Sequence, residues 1–151
     1  MSKTFWNSVT ESIYNIFENS KEKEIKENQT ETEEQNELEF LTACQTGNID
    51  MVNICLSKGI NKNNKALMAA SRHGHKSIVD LLIHDEENRF TYDATSVGYA
   101  IDFASTRGHI IVVEILLPFS CKTNNLNHTI SWAKIYGHRA IEDLIIQYVK
   151  T

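Results

Sequence analysis

Apolar and polar residues divide the chain into three stretches of unlike pattern. Phe5, Trp6, Val9, Ile13, Ile16 and Phe17 recur at helical spacing on one side, with Asn7, Thr10, Glu11 and Asn15 on the other. Residues 1–17 are therefore expected to hold one short amphipathic helix. From 18 to 36 nearly every residue is Glu, Lys, Asn, Gln, Ser or Thr, and Ile25 is the one large apolar side chain. Such a stretch buries too little surface to offset its ordering entropy, and it reads as a flexible acidic linker in which helix is at most transient. From residue 37 onward aliphatic residues return, and they return in repeats.

Four segments align there without gaps: LEFLTACQTGNIDMVNICL from Leu38, KALMAASRHGHKSIVDLLI from Lys65, YAIDFASTRGHIIVVEILL from Tyr99 and HTISWAKIYGHRAIEDLII from His128. In each, an alanine (Ala43, Ala70, Ala104, Ala133) stands four residues before a glycine (Gly47, Gly74, Gly108, Gly137), which is followed by Asn48, His75, His109 or His138. The pattern reads as helix, tight turn, helix. Glycine supplies the left-handed conformation that ends the first helix, and alanine lets neighbouring units approach closely. The second helices carry core-facing stripes: Met51/Val52 with Ile54 and Leu56, Ile78/Val79 with Leu81/Leu82, Val112/Val113 with Leu116/Leu117, and Ile141 with Leu144/Ile145. One helix pair cannot cover its own apolar face, so the units are expected to stack and the end units to differ. Glu37, Glu39 and Gln45 interrupt the apolar positions of the first unit, and the last helix runs on through IIQYVKT, long enough to lie over an open end. Pro118, the only proline, is expected to stop the second helix of the third unit.

At these residues the chain resembles the ankyrin repeat family, whose unit is a turn followed by two antiparallel helices with the signature T-P-L-H-x-A. The resemblance covers Leu38 to about Lys150 and implies an all-α helical repeat solenoid at 37–151. The signature departs from the family in several ways. Its threonine-proline start is Leu38/Glu39, Lys65/Ala66, Tyr99/Ala100 and His128/Thr129, and its histidine is Leu41, Met68, Asp102 and Ser131, which leaves the capping of the first helices open. The repeat glycines are spaced 27, 34 and 29 residues apart, against a family period of about 33. Only the connection from His84 to Gly98 has room for a full protruding finger.

Charge and chemistry narrow the function. Nine glutamates between Glu18 and Glu39 face only Lys21, Lys23 and Lys26, whereas residues 40–151 carry seven lysines and four arginines against ten acidic residues. That near-neutral body lacks the basic footprint of nucleic-acid binding. Of six histidines, His75, His109 and His138 share one repeat position, where the resemblance implies a structural role, and no carboxylate or cysteine recurs with them as a metal shell would require. His73, His84 and His128 read as solvated singletons. Cys44 and Cys55 read as small buried hydrophobes and Cys121 as a loop thiol. Three cysteines make no disulfide framework, and no apolar run approaches the roughly 18 to 20 residues of a membrane span. A cytoplasmic, intracellular protein is expected. With no nucleophile elbow, phosphate loop or metalloprotease motif in the sequence, no cofactor or metal is expected, and an enzyme is only a remote alternative.

A binding role remains. The resemblance implies an extended concave surface made by the first helices and the finger tips. It maps that surface onto Gln45, Arg72, His73, Thr106, Arg107, Ile135 and Tyr136, just before the repeat glycines, together with Asn64 and, in the long connection Asp85 to Asp93, Phe90 and Tyr92. Arginine and aromatics are the usual interface anchors; Trp132 is a further candidate among them, with a core position the more favoured of its two readings. A monomeric adaptor or inhibitor-type module that binds a protein partner is the expected function. Asn, Ile and Lys number 14, 17 and 11, a bias of AT-rich genomes, and by analogy the chain is expected to be a host-directed protein of an intracellular bacterium or a large virus. The helix at 1–17 is expected to dock on a partner or, less favoured, to cap the first unit. Tethering to a membrane surface is the weakest of its readings, because only Lys3 supplies nearby positive charge.

Overall fold

Each first helix ends the way its alanine and glycine dictate. In the computed structural model the N–H after the glycine reaches back to the alanine carbonyl in every unit: Asn48 to Ala43 at 3.0 Å, His75 to Ala70 at 3.0 Å, His109 to Ala104 at 2.9 Å and His138 to Ala133 at 2.8 Å. This six-to-one bond needs a left-handed residue inside it, and the four glycines have φ between +75° and +80°. The A-x-x-x-G-[HN] pattern is thus one hydrogen-bonded turn used four times.

The structure describes residues 18–21, 23, 32–60, 63–84, 92–120 and 126–150, and the expected helix at 1–17 lies outside them. The chain divides into two compact units, Met1–Glu37 and Leu38–Thr151. Within the first, residues 18–21, 23 and 32–37 are helical, so the described part of the expected linker adopts the conformation that Glu, Lys and Gln favour intrinsically.

The second unit is all-α. Helix α1, over residues 32–46, enters it at Leu38. There follow α2 (Ile49–Ser57), α3 (Asn64–His73), α4 (Lys76–Ile83), α5 (Ala94–Arg107), α6 (Ile110–Leu116), a 3-10 turn at Leu117–Phe119, α7 (Asn127–Ile135) and α8 (Arg139–Lys150). The first helices α3, α5 and α7 pack side by side, the second helices α2, α4, α6 and α8 form a parallel row behind them, and each pair packs on itself. Pro118 stands at the start of the 3-10 turn, directly after α6 ends.

The core lies between the two rows. Ala43, Ala70, Ala104 and Ala133 are all buried, as are Val52, Ile78, Val79, Leu82, Val112, Val113, Leu116, Ile141 and Ile145 from the second helices. One expected core position is different: Ile54 is 47% exposed, and Cys55 is buried in its place. With α2 running over Ile49–Ser57, the helical period carries the inner face from Val52 to Cys55 and turns Ile54 outward. Cys44 is buried beside this stripe, and its burial, with the Cys55 sulfur nearby, pushes its thiol up to about 12.

Helix starts answer the question left by the missing threonine-proline signature. Asn63 accepts from the Ala66 N–H at 2.8 Å. Asp93 accepts from the Ser96 N–H at 2.7 Å and from the Ser96 hydroxyl at 2.9 Å. Because Asp93 caps it, α5 begins at Ala94, and the connection expected to reach Gly98 stops five residues earlier. Ala94 to Gly98 are helical instead.

Candidate functional site

Residues four apart on one helix stack above one another, and the outward faces of the first helices use that spacing to build a continuous lining. Helix α5 presents Tyr99, Phe103 and Arg107, with Asp102 and Thr106 alongside, and α7 with the turn after it presents His128, Trp132 and Tyr136. With Arg72 from α3 they enclose a groove of about 670 Å³. A second hollow of about 250 Å³ shares Arg72 and Phe103 with it and continues toward Leu41, Gln45, Lys65, Met68 and His73.

The groove is aromatic at its centre. Trp132 lies between His128, edge-on with centroids 5.4 Å apart, and Tyr136 at 5.9 Å. The Trp132 Nε1–H points at the His128 ring, 2.9 Å from Nε2. Asp102 is held from α7: Thr129 Oγ1 donates to its Oδ1 at 2.6 Å, and its Oδ2 is 3.5 Å from His128 Nδ1. Tyr99 and Tyr136 are each 54% exposed and Phe103 38%, although aromatics of this size are ordinarily drawn into a core. The Arg72 guanidinium sits 5.8 Å above the Phe103 ring, in cation–π range.

Positive charge gathers where α3 and α5 end. Arg72 and Arg107 occupy equivalent places in consecutive units, near the ends of α3 and α5, and among the described residues neither has a carboxylate partner. His73 stacks on His75 with centroids 6.1 Å apart. Desolvation, with the neighbouring His75, Arg72, Arg107 and His109, holds its imidazole below the ordinary value.

The repeat histidines face the other way, along the stack. His75 Nε2 lies 2.8 Å from the Gln45 carbonyl, His109 Nε2 3.2 Å from that of Arg72, and His138 Nε2 3.3 Å from that of Thr106. Each ring ties its unit to the end of the first helix before it, at Gln45, Arg72 and Thr106. Among the described residues no group of three His, Cys, Asp or Glu side chains is arranged to hold a metal ion.

Of the residues expected on the surface, the structure brings Arg72, Thr106, Arg107 and Tyr136 into the main groove and Gln45 and His73 into the adjoining hollow. Ile135 is 70% exposed but does not line the groove. Asn64 donates to Asp93 Oδ2 at 3.0 Å, bracing the start of α5. Tyr92 is half-buried against the core, so the chain just before α5 spends it on packing. Phe90 lies outside the described residues. Trp132, expected in the core, lines the groove instead, because it belongs to the same outward stripe as His128 and Tyr136. Tyr99, Asp102, Phe103 and His128 were not foreseen. Four-residue steps back from Arg107 and Tyr136 would have found three of them.

The sequence model of a family described as ankyrin repeats, in three copies, matches residues 12–94. The chain belongs to the ankyrin repeat family. Ankyrin repeats are generally protein–protein interaction modules. The match ends as α5 begins, yet α5–α6 and α7–α8 repeat the same alanine–glycine turn and the same histidine link, so their geometry continues the ankyrin stack. No curated protein and no solved structure matches the chain. Among the described residues no helix is long and apolar enough to cross a membrane.

Proposed function

We propose that the ankyrin stack is a non-catalytic adaptor or inhibitor-type module that binds a protein partner on the face made by α3, α5 and α7, as a host-directed protein of an intracellular bacterium or a large virus. One observation carries the binding reading: Tyr99, Phe103, Trp132 and Tyr136 line an open groove beside two arginines that no carboxylate of the described residues neutralises. Aromatics and arginine together are the composition of interface anchors. The Asp102–His128 pair is occupied by Thr129 and Trp132, which makes it a brace for the groove wall. The Asn, Ile and Lys bias supports the host-directed origin.

The test is site-dependent capture. Tagged parent protein, a Phe103→Ala/Tyr136→Ala variant and an Ile111→Ala/Gln147→Ala variant from the opposite row are each incubated with host-cell extract, and bound proteins are compared by mass spectrometry. A partner recovered by the parent and the second-helix variant but lost from the groove variant is the expected result. A partner lost only from the second-helix variant would move the binding face to the other side.

A further inference from the structure

Electrostatics and shape together say what the groove takes. Its aromatic floor needs an apolar side chain to cover it. Its one carboxylate, Asp102, is already hydrogen-bonded by Thr129 and faces His128, so the unanswered charge in the groove is that of Arg72 and Arg107. Both guanidinia are exposed and lie at the ends of adjacent helices, where they flank Phe103 and Tyr136. A volume of about 670 Å³ lies within the roughly 300–1,000 Å³ of sites that bury a compact ligand, which is enough for a few side chains of a peptide.

We propose that this groove binds an acidic peptide segment of the partner, with an aromatic or long aliphatic side chain laid among Phe103, Trp132 and Tyr136 and carboxylates beside it on Arg72 and Arg107. The assignment rests on the reading of this face as the protein-binding one. Arginine's planar fork suits carboxylates in bidentate pairs, and the Arg72 guanidinium already lies over the Phe103 ring that the apolar side chain would cover. A cationic segment would meet two guanidinia. A nucleic-acid strand would find stacking surfaces but little further positive charge, since residues 40–151 are nearly neutral and Glu18 to Glu39 is strongly acidic.

Trp132 supplies the readout. The chain has two tryptophans, so in a Trp6→Phe full-length protein the emission reports the groove alone. The probes are a synthetic octapeptide with one phenylalanine flanked on each side by two glutamates, the same peptide with glutamines, and an oligouridylate of ten nucleotides. The glutamate peptide is expected to shift Trp132 emission and to bind at least about tenfold tighter than the glutamine peptide. That preference should be lost in Arg72→Gln/Arg107→Gln and should weaken in about 0.5 M salt. Phe103→Ala should weaken both peptides. Both substitutions are of exposed side chains, and an unchanged melting temperature confirms that the fold is intact. Equal affinity for the two peptides, a preference unaffected by the arginine substitutions, or tighter binding of the oligouridylate would overturn the proposal. If neither peptide binds while Phe103→Ala/Tyr136→Ala still abolishes partner capture, the acidic-segment assignment falls and the protein-binding face stands. If the glutamate peptide binds the arginine and phenylalanine variants as it binds the parent, both fall.

Discussion

Glycine at the end of each first helix meets two demands, and the stack separates them. All four repeat glycines have positive φ, which costs a residue with a Cβ roughly 1–2 kcal/mol. At Gly108 a Cβ would also lie 2.7 Å from His138 Cε1, and at Gly74 2.5 Å from His109 Nδ1, whereas at Gly137 nothing lies within 4 Å. Gly137→Ala should therefore carry the backbone cost alone. Gly108→Ala should cost about 1 kcal/mol more, because His138 must move and its bond to the Thr106 carbonyl is lost. In a His138→Ala background that excess should vanish. Urea unfolding of the parent, Gly108→Ala, His138→Ala and the double variant reads this as a double-mutant cycle, and equal midpoints for Gly108→Ala and Gly137→Ala would contradict it. The same logic explains why the first unit has Asn48 where the others have histidine. No described helix pair lies before it for a ring to reach, so Asn48 caps its own helix at 3.1 Å from the Met51 N–H.

Helix starts depend on which side chains are free to cap. α2, α3 and α5 have Asn48, Asn63 and Asp93, whereas His75 and His109 make no cap bond because their rings are turned to the preceding unit. Asp93 has the fullest set, accepting from the Ser96 N–H and hydroxyl and from Asn64. The Ser96 backbone bond, foremost among these, holds its carboxyl below the ordinary carboxylate value. A depressed acid stabilises the fold above its unfolded value of about 3.9, and the contribution disappears as the pH falls through the lower folded value. Asp93→Ala should therefore lower the melting temperature at neutral pH, and the gap to the parent should close as the pH is taken below about 4. A gap that persists in acid would mean that Asp93 acts through packing and not through its charge.

At the scale of the whole repeat body, stability comes from the interfaces between neighbouring helix pairs. Ile101 is fully buried on α5, which packs against α3, α6 and α7. Ile101→Ala should cost about 2–5 kcal/mol, a large share of the 5–15 kcal/mol that domains usually have. One shifted unfolding transition, seen alike by circular dichroism and by Trp132 fluorescence, is expected if the pairs are coupled. Two separated transitions would show that the pairs flanking α5 unfold on their own.

How much of this was legible beforehand follows from the range of each interaction. Local rules set the four helix–turn–helix units, the buried alanines, the positive-φ glycines, the stop at Pro118 and the ankyrin resemblance, because a six-to-one turn and a helical stripe are written within about ten consecutive residues. The resemblance singled out Arg72, Thr106, Arg107 and Tyr136, and these four line the groove. The local rules also left Ala94 to Gly98 in the connection, although Asp93 caps α5 through the local Ser96 N–H and is further held by Asn64, 29 residues away. Nor did they show that Tyr92 would turn to the core while Trp132 turned out of it. An aromatic ring is equally at home in a core or an interface, and its own sequence neighbourhood does not distinguish the two. The choice falls to the helix that packs alongside: where α5 meets α7, Ala104 and Ala133 are buried, whereas Phe103 and Trp132 line the open groove.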